Sequence, residues 1–490
     1  MKLKLNFLAS LFLFLSNGFC VAQDLVNGSY SVGFKYFKTY DISRSYVINN
    51  DTISRPLLIH FWYPSNENIE KGNYYFKNYI DLIAIREDFS KAVSEVDASS
   101  FNFVNAYAGF AKQRFGIDTA TTTKQILDYP VAAQYGIAIA KSSETFPLVI
   151  YAPSNSKSAV QNHMICEYLA SHGYLVISVG SAGDNSLNRS IDQKSILAQV
   201  NDMEFILSYF EDKLKIKYSS LGLMGFSSGG LSTTIFQMKN EHVKAVFSMD
   251  GSQEYGAYPV LLRLNSFDIK KTNVPYCLMV NNYDNFSIYP FYNSIISKDK
   301  YMFRMPQLDH NGFVSYWNFF DLPSSKASAC QACSSYDYIS KSALNFFDKY
   351  LRSNTLSINK QGANTQTNEY IESISIDNST ITQLFNLLLN EKINDLSSYL
   401  IEHQKNLRHK ENEVNIMSKM LRDSNVELAI ELLLFNVEMH PNSWQAHFEL
   451  GYTYKIKGDL SLSRKALIEA QNLDPDNSNI TELINEIDKL

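Results

Sequence analysis

The chain has 490 residues, 45% of them hydrophobic and 13% aromatic, with a net charge of −6. Its length predicts two or three domains, and its apolar fraction suffices for a sizeable core. The charge is modest and no basic block interrupts it, which excludes nucleic acid and anionic membrane surfaces as partners.

Residues 1–22 read as a signal peptide. Lys2 and Lys4 give a positive start, residues 7–14 are apolar, and Cys20-Val21-Ala22 offers small residues at a cleavage site before Gln23. The apolar run is short for a membrane anchor, which needs about 20 residues. Phe19 before Cys20 is too large for a lipoprotein signal. No later stretch is long and apolar enough to span a membrane, so the mature chain is expected in the periplasm or outside the cell.

The segment after the signal is β-rich, ending in the strand-like run 55–64 closed by Pro64. Residues 73–140 read as a mostly helical insertion without strand-like runs, either a cap over a pocket or scaffold. From residue 147 strands alternate with helices: strands at 147–152, 174–179, 221–224, 243–248 and 275–280, helices at 159–171, 196–210 and 228–238, and a closing helix at 341–351. This alternation predicts an α/β fold, a parallel sheet with helices on both faces, over residues 23–352. A polar linker follows at 353–380, and residues 381–490 read as all helical.

That last region carries a 34-residue spacing: Pro441 with Pro475, Ala429 with Ser463, Leu433 with Leu467. Together with Leu450-Gly451, Tyr454 and Ala470 it resembles tetratricopeptide repeats, which imply a protein partner, self-association or packing on the first domain. With fewer than three good copies the repeats are not expected to stand alone.

Cys330-Gln331-Ala332-Cys333 is a single C-x-x-C. With no second such pair and no H-x-x-x-H, it reads as a local disulfide. No metal and no cofactor are expected.

Gly225-Phe226-Ser227-Ser228-Gly229-Gly230 follows a predicted strand and opens a predicted helix, the context of a nucleophile elbow. A tight turn there exposes Ser227 at the carboxyl edge of the sheet, beside the positive end of a helix dipole. A serine hydroxyl needs a base. His310, in Leu308-Asp309-His310-Asn311-Gly312, follows a later apolar segment and fits that role. His163, His172, His60 and His242 lie within or beside predicted helices and strands. Two aspartates end strands, Asp250 and Asp284, and either could orient the imidazole. Both keep the chain order Ser, Asp, His.

Tyr30-Ser31-Val32-Gly33-Phe34, Asp41-x-Ser43-Arg44, Trp62-Tyr63-Pro64, Ala170-Ser171-His172-Gly173-Tyr174 and the elbow carry a resemblance. Residues 30–351 resemble bacterial relatives of platelet-activating factor acetylhydrolase and dienelactone hydrolase, within the α/β-hydrolase superfamily. The resemblance implies a serine hydrolase of carboxylic esters, with a small-molecule or lipid ester as substrate. The acetylhydrolase branch favours Asp250 as the acid; the broader superfamily favours Asp284. The implied oxyanion donors are the backbone N–H groups of Ser228 and Asn155. The chain departs from the family where Pro153-Ser154 replaces the usual His-Gly. That departure motivates an alternative: a catalytically weak or inactive hydrolase-fold scaffold that binds a protein partner through its C-terminal repeats. A peptidase of the same fold is a third reading, and nothing in the sequence selects amide over ester cleavage.

Overall fold

The computed structural model describes residues 25, 27–68, 74–91, 104–105, 108–109, 112, 123–124, 126–143, 145–155, 158–189, 192–254, 261, 264–281, 289–305, 308–315, 327–352, 372–373, 383–384, 387–388, 393, 395–422, 425–475 and 477–489. Residues 1–22 and most of 353–380 lie outside this set, so the expected signal peptide and linker fall outside the described residues.

Strands β1 (Ser31–Ile48) and β2 (Asp51–Ser65) form a long antiparallel hairpin. Its two-residue turn is Asn49-Asn50, with φ of 51° and 70°. Positive φ at both central residues matches the right-handed twist of the flanking strands, and asparagine tolerates it well. The pairing slips between Asp41 and Ser45. In that bulge Asp41 accepts from Ser43 N at 2.9 Å and from Arg44 Nε at 2.6 Å, which aims Arg44 at Asp202, 2.7 Å away.

The remaining strands are β3 (Ala133–Tyr135), β4 (Leu148–Ala152), β5 (Leu175–Val179), β6 (Leu221–Phe226), β7 (Val243–Met249), β8 (Tyr276–Val280), β9 (Lys300–Arg304) and β10 (Glu372–Ser373). They form one ten-stranded sheet in the order β10-β9-β8-β7-β6-β4-β5-β2-β1-β3. Neighbours from β5 through β4 to β9 are parallel. Every residue of β4, β5, β6 and β8 is buried, as helices on both faces require.

Alternate residues divide the core. Val149 and Tyr151 face one apolar cluster, with α1 (Phe76–Ala84), α2 (His163–Ser171) and the later part of α6 (Ala327–Leu351). Leu148, Ile150 and Ala152 face the other, with α3 (Gln193–Asp212) and α4 (Ser228–Lys239). A short α5 (Pro290–Ser294) precedes β9.

Two expectations need correction. The insertion contains a strand, β3, that pairs in parallel with β1 through Val32, Gly33 and Phe34; three residues are too few to show a period. Helix α1 is tied into the core: Trp62 Nε1 donates to Tyr79 Oη at 2.8 Å, and Tyr79 donates to Glu167 at 2.7 Å. Burial pushes the Glu167 carboxyl up to about 7. The closing helix also begins earlier than expected and includes Cys330 and Cys333, whose side chains lie outside the described set. Cys166 and Cys277 are free and buried.

The C-terminal region is all helical: α7 (Leu396–Leu407), α8 (Glu411–Leu421), α9 (Val426–Met439), α10 (Trp444–Lys457), α11 (Leu460–Leu473) and α12 (Ser478–Ile487). Ser463 Oγ donates to Gly451 O at 2.7 Å where α10 and α11 meet. Leu384, Leu388, Leu396, Leu400 and Phe435 belong to the same apolar cluster as α3 and α4, so the helical region continues the core of the α/β domain. No helix among the described residues is long and apolar enough to cross a membrane.

Candidate active site

The turn between β6 and α4 holds Ser227 at φ 56°, ψ −124°. A non-glycine residue reaches positive φ only when its surroundings enforce it. Ser227 N donates to Met249 O at 3.1 Å, and Ser227 O accepts from Gly230 N at 2.9 Å and Ser252 N at 3.0 Å. Two glycines make the turn fit. A Cβ at Gly225 would lie 2.5 Å from Gly229 O, and one at Gly229 would lie 2.1 Å from Ala152 O.

His310 opens a short 3-10 turn after β9, His310–Phe313, in which the Asp309 side chain accepts from Gly312 N at 2.9 Å. The imidazole stacks on Phe226, with ring centroids 5.0 Å apart. Its Nε2 lies 2.9 Å from Ser227 Oγ, and its Nδ1 lies 2.5 Å from Asp250 Oδ2. The His310 side chain is 44% exposed while Asp250 is fully buried, so the imidazole carries the exposure of the three.

Asp250 sits one residue beyond β7 at φ 44°, and its N–H donates to Met279 O at 2.7 Å. Asn281, one residue beyond β8, donates to it twice: from N to Oδ1 at 3.0 Å and from Nδ2 to Oδ2 at 2.7 Å. A buried carboxylate needs such donors to remain charged. Sequence reasoning did not single out Asn281. Its only signal was a polar residue at the end of the strand beside β7.

Of the predicted residues, the structure brings Ser227, His310 and Asp250 together and sets Ser228 at the start of α4. Asn155 lies in the loop after β4; its Oδ1 is closed off from solvent and has no partner among the described residues. Asp284 lies outside the described residues. His60 and His163 sit in the core, where burial lowers their pKa to about 4 and about 3. Among the described residues no group of His, Cys, Asp and Glu is arranged to hold a metal ion. A cavity of about 40 Å³ lies between β2, α1 and the loops after β4 and β5, lined by His60, Ser158 and Val179 among others; neither Ser227 nor His310 lines it.

This arrangement offers a hydroxyl within hydrogen-bond reach of an imidazole, an imidazole whose other nitrogen meets a carboxylate, and a helix N-terminus beside the hydroxyl. Such a set can pass one proton from oxygen to nitrogen while a negative charge grows on a bound carbonyl oxygen.

No protein-family model matches the chain, and no curated protein does. Among solved structures it is similar to a ferulic acid esterase from Streptomyces cinnamoneus, at 16% identity and a TM-score of 0.48, over 71% of this chain and 97% of that one.

Proposed function

We propose that the protein is an exported serine hydrolase of carboxylic esters, of the acetylhydrolase-like branch of the α/β-hydrolase superfamily. The observation that carries this reading is the continuous line Ser227 Oγ, His310 Nε2, His310 Nδ1, Asp250 Oδ2, held at 2.9 and 2.5 Å beside a strained turn.

In this reading Ser227 Oγ attacks the ester carbonyl carbon and gives its proton to His310 Nε2. The carbonyl oxygen becomes an oxyanion, met by the N–H groups of Ser228 and Asn155. Collapse expels the alkoxide, which takes the proton from His310, and leaves an acyl group on Ser227. Water then repeats the sequence: it gives a proton to His310 and its oxygen to the acyl carbon, releasing the acid and restoring Ser227. Asp250 fixes the imidazole tautomer and stabilises the imidazolium. The exposure of His310 suits this role, because substrate and water must both reach it. Export rests on the leader-like residues 1–22, and the C-terminal helices are read as a packing or partner-binding region.

The test is hydrolysis of p-nitrophenyl esters, from acetyl to long acyl, by the wild type and Ser227→Ala, with fluorophosphonate labelling alongside. Turnover and labelling in the wild type, both lost in the variant, support the reading. No turnover and no labelling of the wild type overturn it in favour of a scaffold.

A further inference from the structure

The loop that would supply one half of the oxyanion hole runs through Pro153, Ser154 and Asn155. Glycine there would leave the backbone free, and proline has no N–H to anchor it. The structure holds this loop from outside. Gln199, on α3 and 1% exposed, donates from Nε2 to Pro153 O at 2.9 Å. Its Oε1 accepts from Ser232 Oγ, on the nucleophile helix α4, at 2.7 Å, and from Arg189 Nη2 at 2.8 Å. The same Nη2 lies 3.2 Å from Ser228 Oγ. A second tie comes from Ser181 Oγ, which donates to Ser154 O at 2.6 Å. One buried amide thus joins the loop bearing Asn155 to the helix start bearing Ser228.

We propose that Gln199 and Arg189 form a clamp that sets the spacing of the two oxyanion donors, with Gln199 as a positioning residue and Arg189 as a cation beside the hole. The proposal rests on the serine-hydrolase reading. Arg189 Nε and Nη1 are closed off from solvent and have no hydrogen-bond partner among the described residues, so no carboxylate is bonded to the guanidinium there. Asp202, nearby, already accepts from Arg44 Nη2 and from Arg55 Nε and Nη2. Burial lowers the Arg189 pKa to about 10, against the pull of Asp202 and Asp192, and the side chain stays protonated at neutral pH. A charge held in such a dry site acts strongly on a neighbouring oxyanion.

The experiment uses Gln199→Glu, Gln199→Leu, Arg189→Lys and Arg189→Met in the full chain. Glutamate is nearly isosteric; it puts an acceptor where Nε2 donated to Pro153 O and a negative charge beside Arg189. For the glutamate, leucine and methionine variants kcat on a p-nitrophenyl ester falls about 10- to 100-fold with KM within about twofold, the scale of a small misplacement. Inhibition by a trifluoromethyl ketone, a mimic of the tetrahedral intermediate, weakens by the same factor as kcat/KM, and Arg189→Lys recovers part of both. Amide hydrogen exchange of the peptide containing residues 153–155 rises in Gln199→Glu. Unchanged kcat and inhibitor affinity in folded variants overturn the proposal. If the wild type neither hydrolyses esters nor labels with fluorophosphonate, the hydrolase reading fails first, and unchanged exchange in Gln199→Glu then overturns the clamp independently. If Gln199→Leu does not fold, Gln199→Glu and Arg189→Lys carry the test.

Discussion

Asp250 Oδ2 meets His310 Nδ1 at 2.5 Å, although the two residues lie 60 positions apart in the chain. Both follow strands of the parallel sheet, Asp250 directly after β7 and His310 a few residues after β9, with only β8 between them. On this geometry Asp250→Asn lowers kcat about 10³- to 10⁴-fold, because an amide offers the wrong partner to the imidazole. Asp284→Asn leaves kcat within a few fold. Steady-state rates for the two variants decide between the aspartates, and a loss confined to Asp284→Asn reverses the assignment.

Arg55 and Asp202 form an ion pair with side chains 1% and 0% exposed. Arg55 Nη1 also donates to Gly183 O and Asp184 O at 2.8 Å each. Removing Arg55 leaves the buried Asp202 with Arg44 on Oδ1 alone and, among the described residues, nothing on Oδ2, so Arg55→Ala destabilises the fold by about 2–4 kcal/mol. The loop from 183 to 189 loses its anchor at the same time. Urea unfolding of the variant checks the first effect, and a loss under about 1 kcal/mol contradicts it.

His60 and His163 are held neutral, at about 4 and about 3 against 6.5 when unfolded. Between pH 6.5 and about 4 the unfolded chain binds protons at these two sites that the folded chain does not. Their contribution to stability is complete above pH 6.5 and is lost as pH falls. Glu167 and Glu254, raised to about 7 and about 8, act in the opposite sense: their contribution is present below pH 4.5 and declines as pH rises towards those values. The measurable quantity is therefore the difference between a variant and the wild type. His163→Phe keeps the ring contacts with Phe76 and Tyr79 but binds no proton. Relative to wild type, its stability between pH 4.5 and 6 loses about 1.4 kcal/mol per pH unit of positive slope. Urea midpoints across that range test this, and parallel curves refute it.

Leu384, Leu388 and Leu400 share one apolar cluster with Ile196 and Leu231 of the α/β domain. Residues 381–490 expressed separately would expose that surface. They are expected to aggregate or melt without cooperativity. Calorimetry and size-exclusion chromatography of the fragment test this; a cooperative, monomeric fold contradicts it.

Local physics made much of this chain legible in its sequence. Leu148 to Ala152 carries no charged residue and Leu175 to Val179 only one polar residue, Ser178, because a parallel sheet is covered on both faces. The glycines around Ser227 mark a turn that no side chain at those positions would permit. Three-residue β3 left no trace, because its partners come from β1, about 100 residues earlier. Asn281 and Gln199 were equally silent: each is an ordinary polar residue until folding places a carboxylate or a proline carbonyl against it. By itself the sequence determined the alternation of strands and helices, the elbow at Ser227 and the candidate histidine, since all three depend on neighbours along the chain. Only the tertiary structure decided that Asp250 faces His310 and that Gln199 ties Pro153 to α4, because hydrogen bonds between distant segments exist only once sheet order and register are set.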